Sequence, residues 1–515
     1  MISPMLLERP GSWRWIGVTL GFAVALVPTL PLVWRAAVAT DGFSVGDAFV
    51  PALGNSLVVA LSVAAIGWIV GLPAGVLGGL YAFRGRAILI ALLALPALVP
   101  SFLWAIGWSA AALRIGTGAS QALTGFPGTA LAFCGMAISV VMLTSLATTR
   151  SLTASQIDAA RIAGGERTVV VQSCRHGATT AGLAAGLVGV LTLSDPGPGQ
   201  IHGLRTAAGE MLTSFSALYD FALAGRQCLV LTAAVLLLAL PAIAMAAPRL
   251  STQLLARQSR APVLARNRRV SRIAIGLLTL LAFLFVMLPL TGLLLPLLAG
   301  AEILATWNAL TRTGWNTLLY AGGAGLAAVT FGIVMALLAG RSATLGAACL
   351  AAGLALFLQP PALIALGFVF VGSDAPAWAD PLLRSRLTVC LALATRLFPV
   401  ALFLGMRAWR SFPSSWSAAA AVHGVPARTF LRRIVVPMFG FPAGTALLIV
   451  GLLATADVGT VLLLHPPGQA SLPLTIFTVM ANAPETLVAS LCLAYVVAAV
   501  MVLVLIHRVV GRIVH

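Results

Sequence analysis

The stretch "HGVPARTFLRRIVVPM", residues 423–438, sets three arginines, Arg428, Arg432 and Arg433, between two long apolar runs. Gly424 stands near its start and Pro437 near its end, and the Ala-rich run "WSAAAAV" precedes it. A glycine in that place can adopt the left-handed conformation that closes a helix. Pro426 then suits a first helical turn. Phe430, Leu431 and Ile434 fall on one face, and the three arginines are free to reach water or a partner. The pattern predicts a small amphipathic helix lying along a membrane surface, with Pro437 marking the turn into the next span.

The surroundings explain why a membrane enters the argument. The chain has 515 residues, of which 60% are hydrophobic and 9% charged, with a mean hydropathy of +1.04. No soluble globular domain has that composition. A helix needs about 20 consecutive apolar residues to cross a bilayer. Twelve such runs are read, at 14–36, 51–82, 87–112, 127–148, 178–195, 227–248, 273–298, 315–339, 343–372, 386–404, 439–463 and 487–507. The fold expected is an all-α membrane protein of twelve transmembrane helices. "AVA" at 37–39 resembles a signal-peptide cleavage site, but the apolar run before it is too long and Arg35 interrupts it. The first span is therefore read as an uncleaved helix.

Every basic residue is arginine, and the formal charge is +18. In a soluble protein that balance would suggest nucleic acid. Here collection of positive residues on the cytoplasmic side accounts for it, and no nucleic-acid partner is expected. With the N-terminus inside, the loops on that side hold 23 of the 31 arginines and the opposite side holds 10 of the 13 acidic residues, among them Asp41 and Asp47. Both termini are thus read as cytoplasmic. Without lysine the chain has no Walker A loop for ATP and no Schiff-base chemistry. The six cysteines are scattered and the six histidines have no ligand spacing, so neither a disulfide framework nor a metal site is expected.

The chain also repeats itself. "GNSLVVAL" at 54 pairs with "WNTLLYAG" at 315, aligning Asn55 with Asn316. "PSFLWAIG" at 100 pairs with "PPALIALG" at 360, aligning Pro100 with Pro360 and Gly107 with Gly367. "GLAAG" at 182 and "GFPAG" at 440 pair two GxxxG steps, which let helices approach closely in lipid. The opening stretch has its own twin in "QIDAARIAGGERTVVVQSCRHG" from 156, aligning Gly164 with Gly424 at an offset of 260. Two six-helix repeats, 1–248 and 273–515, are expected to enter the membrane in the same sense, related by an axis along its normal. The seven-arginine segment 249–272 is read as a cytoplasmic linker between them.

These loops resemble the signature of binding-protein-dependent ABC importer permeases: Glu-Ala-Ala, three residues, Gly, nine residues, Ile, any residue, Leu-Pro. The second copy keeps Ala419, Ala420, Gly424, Ile434 and Pro437 but has Ala418 for the Glu and Val436 for the Leu. The first keeps an acidic start in Asp158, Ala159, Ala160 and Gly164, then has Cys174 and His176-Gly177 where Ile and Leu-Pro would stand. The resemblance covers most of both halves. It implies a type I transmembrane subunit of fused, double-length form in a bacterial inner membrane. It further implies that the loops, with Arg428, couple to two copies of a separate P-loop ATPase, that an extracytoplasmic binding protein delivers cargo, and that the chain itself holds no cofactor and catalyses no covalent step. The double length and the segment "TADVGTVLLLHPPGQASLPLTIF" are similar to the ferric-iron branch; thiamine, phosphonate and polyamine cargo stay open.

Asp195 and Asp457 end matching spans. Acidic groups at membrane depth are costly and often functional, so both are candidates for the pathway. The segments 201–226 and 465–486 are read as outward surfaces for a binding protein. A different class, the ion-coupled carrier, can share a twelve-span repeat but needs ionisable groups in mid-span, where Arg396 is the nearest example.

Overall fold

Backbone amides in hydrocarbon have no water to bond, so an apolar chain satisfies them along helices. The computed structural model describes residues 11–38, 43–255, 265, 267–300 and 302–514. It is 86% helix, with no strand among those residues. Asp41 and residues 256–264 and 266 of the linker lie outside the described residues.

In chain order the long elements are α1 (Ser12–Arg35), α2 (Phe49–Leu80), α3 (Arg86–Ala97), α4 (Ser101–Ile115), α5 (Phe126–Thr149), α6 (Ala154–Thr192), α7 (Phe221–Leu254), α8 (Arg268–Leu298), α9 (Ile303–Ala339), α10 (Ala343–Leu358), α11 (Pro361–Asp374), α12 (Arg386–Ser411), α13 (Ser415–Val422), α14 (Ala427–Ala456) and α15 (Glu485–Ile506). Nine of these described helices are long and apolar enough to cross a membrane, or eleven if α3–α4 and α10–α11 each count as one bent span. The chain is therefore a multi-pass helical protein. The run 178–195 is the second half of α6 and is not among the nine. Thr179, Thr180 and the glycines at 177, 182 and 186 dilute it.

The two bends measure 104° and 80°. Pro100 and Pro360 stand at them in extended conformation, ψ 137° and 134°. Proline also drives the residue before it out of helical geometry, so the break follows from the sequence.

α2 packs on α5 through Gly67, Gly71, Gly75 and Gly79, one at every fourth position. A Cβ on Gly75 would lie 2.3 Å from the Met142 carbonyl oxygen, and one on Gly71 2.8 Å from Val141 Cβ. The GxxxG steps singled out from the sequence do not make such contacts. Gly186, Gly440 and Gly444 face open space, and only Gly182 meets a neighbour, Trp68, at ordinary distance. Four small residues on one face form a continuous groove, whereas a single pair does so only if a helix happens to lie over it.

The leading helix of each half packs across the molecule. α1 lies against α9 and α11, and α8 against α2 and the α3–α4 pair. Two aligned glycines make matching contacts: a Cβ on Gly107 would be 2.6 Å from the Pro289 carbonyl oxygen, and one on Gly367 2.3 Å from that of Pro28. The linker is helical at both described ends, since helix runs from Phe221 to Leu255 and restarts at Arg268. Ala265 exchanges backbone hydrogen bonds with Leu80 and Ala82.

Candidate functional site

α13 closes at Gly424. Its φ of +66° is the left-handed turn expected from the sequence, and the Gly424 and Val425 amides donate to the carbonyls of Ala421 (3.2 Å) and Ala420 (2.9 Å). Beyond that turn the structure departs from the expectation. Residues 427–438 do not form a separate small helix, because helix continues from Ala427 to Ala456 as α14. Pro437 lies within it, exposed, just after a π turn at Leu431–Val435. Proline cannot donate to the carbonyl four residues back, and a widened turn absorbs that loss without ending the helix. The separate helix is α13, and the basic stretch is the first turns of the next span.

On that base Arg428, Arg432 and Arg433 are exposed, Ile434 is half-buried, and Phe430 and Val435 are buried against Trp409, Phe439 and Ala420. The Trp409 and Phe439 rings stack at 6.5 Å, with Phe412 edge-on to Phe439 at 5.6 Å. Ala419 faces outward. Val422, two residues before the glycine, is 82% exposed.

The first loop is held by polar contacts instead. Thr153 and Gln156 form a capping box at the start of α6. The helix breaks at Gly164 and Gly165, and here the positive φ (+72°) belongs to Gly165, not to the Gly164 that aligns with Gly424. Arg161 pairs with Asp158 and with Glu166, both at 2.8 Å, and the buried Tyr81 donates its hydroxyl to Glu166 at 2.5 Å. Burial pushes the Glu166 carboxyl up, but the Tyr81 and Arg161 bonds outweigh it and hold the group below its ordinary value. Ala160 is half-buried and Ala159 exposed, just as Ala420 turns inward and Ala419 outward. Ile162, which aligns with Val422, is 89% exposed. Each loop thus presents one apolar side chain to solvent at the same place, on an ionic footing in one case and an aromatic footing in the other. Glu166 and Tyr81 were not singled out from the sequence. Their signal, two polar residues 85 positions apart, has no local pattern.

The two candidate aspartates come close together. Asp195 follows α6; its carboxylate accepts the Gly197 amide (2.9 Å) and the Ser101 hydroxyl at the start of α4. Asp457 follows α14 and accepts the Thr460 amide and hydroxyl, both at 3.0 Å, and Arg396 Nη1 from α12 at 2.5 Å. The Arg396 and Asp457 side chains are 13% and 1% exposed. Asp195 lies near enough to feel both of their charges. Two carboxylates and one guanidinium leave the cluster one negative charge in excess when all are ionised. The residue of the first half that aligns with Arg396 is Met136, so the cation has no twin. No group of three or more His, Cys, Asp or Glu suited to a metal occurs among the described residues.

At the end away from the two loops, Asn55 and Asn316 bind equivalent carbonyls, of Arg205 (3.1 Å) and Ala470 (3.2 Å). Of the two presumed outward segments, 201–226 does present Leu218 and Tyr219 to solvent, beside a cleft of about 500 Å³. The other exposes Pro467, Gly468, Ala481, Asn482 and Glu485, and each segment buries one face of its short helix, Met211 and Leu212 in the first and Leu472, Leu474 and Ile476 in the second. His202 is buried against Gly128. Comparison with protein-family models, with curated proteins and with solved structures finds no match.

Proposed function

We propose that the chain is the membrane-spanning translocation subunit of an ATP-driven importer, built from two parallel six-helix halves. In this reading it sits in a bacterial cytoplasmic membrane with both termini inside. Two copies of a P-loop ATPase dock beneath the two loops, and an extracytoplasmic binding protein delivers a small solute, ferric iron being the first candidate. The observation that carries the reading is the pair of exposed apolar side chains at aligned places, Ile162 and Val422, each just before a turn with a positive-φ glycine, Gly165 in one loop and Gly424 in the other. An exposed apolar side chain on a rigid turn suits a partner's groove, and a chain without lysine cannot supply its own phosphate loop. The reciprocal packing of Gly107 on Pro289 and Gly367 on Pro28 supports a duplication. ATPase closure would draw the loops together and rock the spans anchored to them. The chain would contribute motion and a path, with Asp195 and Asp457 along it, and the ATP would be bound wholly by its partners.

The test is co-purification from the native host in mild detergent. Wild type brings down an ATPase at two copies per chain, and Ile162→Asp/Val422→Asp loses it while staying folded. A folded double variant that keeps the ATPase refutes the docking role. An ion-coupled carrier is the second reading, favoured by the buried Arg396–Asp457 pair. It predicts uptake driven by an ion gradient with no ATPase present.

A further inference from the structure

The two loops carry more positive charge than their footings use. Asp158 and Glu166 are the acidic residues of the first loop, and both are paired with Arg161. The second loop, 414–437, has no acidic residue. Arg167 in the first loop and Arg428, Arg432 and Arg433 in the second are exposed, and none of the four has an ion-pair partner among the described residues. Each follows the positive-φ glycine of its loop, Arg167 two residues after Gly165 and Arg433 nine residues after Gly424. Like charges gathered on one surface repel each other, and a partner surface of opposite sign relieves that repulsion.

Charge alone would suit anionic head groups as well as a protein. The apolar side chains decide between the two. Ile162 is 89% and Val422 82% exposed, and each stands just before its glycine, so each loop offers an apolar group followed along the chain by unpaired arginine. A head-group layer supplies anions but no dry pocket for these side chains. A groove on a folded partner supplies both, since a protein interface is built as an apolar centre inside a polar rim. Carboxylate is the anion that a guanidinium holds there by two parallel hydrogen bonds. We propose that the ATPase groove receiving each loop is apolar at its floor and rimmed with Asp and Glu, the rim facing Arg167 in the first loop and Arg428, Arg432 and Arg433 in the second. The proposal rests on the importer reading and adds to it the chemistry of the partner's surface.

The full chain is purified from its native host in mild detergent and the bound ATPase is identified by mass spectrometry. Its retention is then measured between about 0.1 and 1 M salt, over which the screening length falls from about 10 to 3 Å. Retention falls as salt rises. In Arg428→Gln/Arg432→Gln the apparent affinity at low salt drops by up to about fivefold per arginine, the worth of an exposed ion pair, and the salt dependence flattens. Arg428→Lys/Arg432→Lys keeps the charge and most of the affinity, which separates lost charge from a poorly folded variant. Retention that ignores salt overturns the proposal, and so does a glutamine variant as tight and as salt-sensitive as wild type. A glutamine variant that keeps its ATPase but carries less co-purified phosphatidylglycerol also overturns it, because the arginines would then serve head groups. In each of these outcomes the ATPase is still bound, so the importer reading stands. A wild type with no ATPase at any salt sinks both.

Discussion

Replacing Arg396 with methionine, the residue at the aligned place in the first half, removes the one cation from the buried cluster. The Arg396 Nη1–Asp457 Oδ2 contact is 2.5 Å, between side chains 13% and 1% exposed. Unit charges about 4 Å apart attract by about 4 kcal/mol at the effective dielectric of a protein. Removing one partner of a buried pair costs about 3–5 kcal/mol, because the other charge is left without compensation. Asp457 keeps the Thr460 amide and hydroxyl, which favours the lower end. Asp195 then faces Asp457 with no cation between them, which favours the upper end. The expected loss is therefore about 4 kcal/mol. Arg396→Met/Asp457→Asn removes the stranded charge and should recover most of it, so the two changes are strongly non-additive. The assay is the folded fraction surviving a heating series, for wild type, both single variants and the double. An Arg396→Met protein as stable as wild type would refute the argument. So would a double variant no better than the Arg396→Met single, which would mean that the arginine acts through packing and not through Asp457.

The glycine groove can be tested by contrast. Gly75→Leu drives a side chain into the Met142 carbonyl and should cost more than the about 1–3 kcal/mol of ordinary overpacking, seen as lost folded yield, whereas Gly186→Ala meets open space and should be near neutral. Tyr81→Phe removes a donor from an ionised carboxylate and should cost about 1.5–3 kcal/mol, read as a lower thermal midpoint that Tyr81→Phe/Glu166→Gln partly restores. His202 lies outside the spanning helices, and burial lowers its pKa from 6.5 to about 4. Folding thus favours its neutral form, and the stability linked to it is complete above about pH 6.5 and declines as pH falls towards 4. Thermal midpoints of wild type and His202→Gln, compared between pH 8 and 5, should show a shallower acid loss in the variant.

The features legible in the sequence are those that local chemistry dictates. A span must be about 20 residues long, so its position shows in composition. A proline unseats its predecessor, which is why the chain bends at Pro100 and Pro360. The turn at Gly424 is equally local, because only glycine adopts a positive φ at little cost. Pro437 misled because the same missing amide can be absorbed by a π turn as readily as by a helix end, and nothing in "RRIVVPM" separates the two. The groove of Gly67, Gly71, Gly75 and Gly79 is visible as a period of four and outranks a single GxxxG pair for a reason the sequence does contain: three successive steps span a whole interface.

The exchange of α1 and α8 between halves, and the meeting of Asp195 with Arg396 and Asp457, were not legible in that way. A hydropathy run states that a helix is buried in lipid or protein, not which helix lies beside it. Yet the cluster has one readable trace. If the chain is a duplication, a charged residue at membrane depth should recur at its aligned place, as the aspartates do. Arg396 does not recur, since Met136 stands there. A buried arginine without a twin must find its counter-charge in the fold, and Asp195 and Asp457, which follow the corresponding helices α6 and α14, are acidic residues that recur in both halves. Pairing the unmatched cation with the matched anions would have predicted the cluster from the sequence alone. In a duplicated chain the same argument marks the cluster, like the ionic and aromatic footings of the two loops, as a place where the halves are not equivalent.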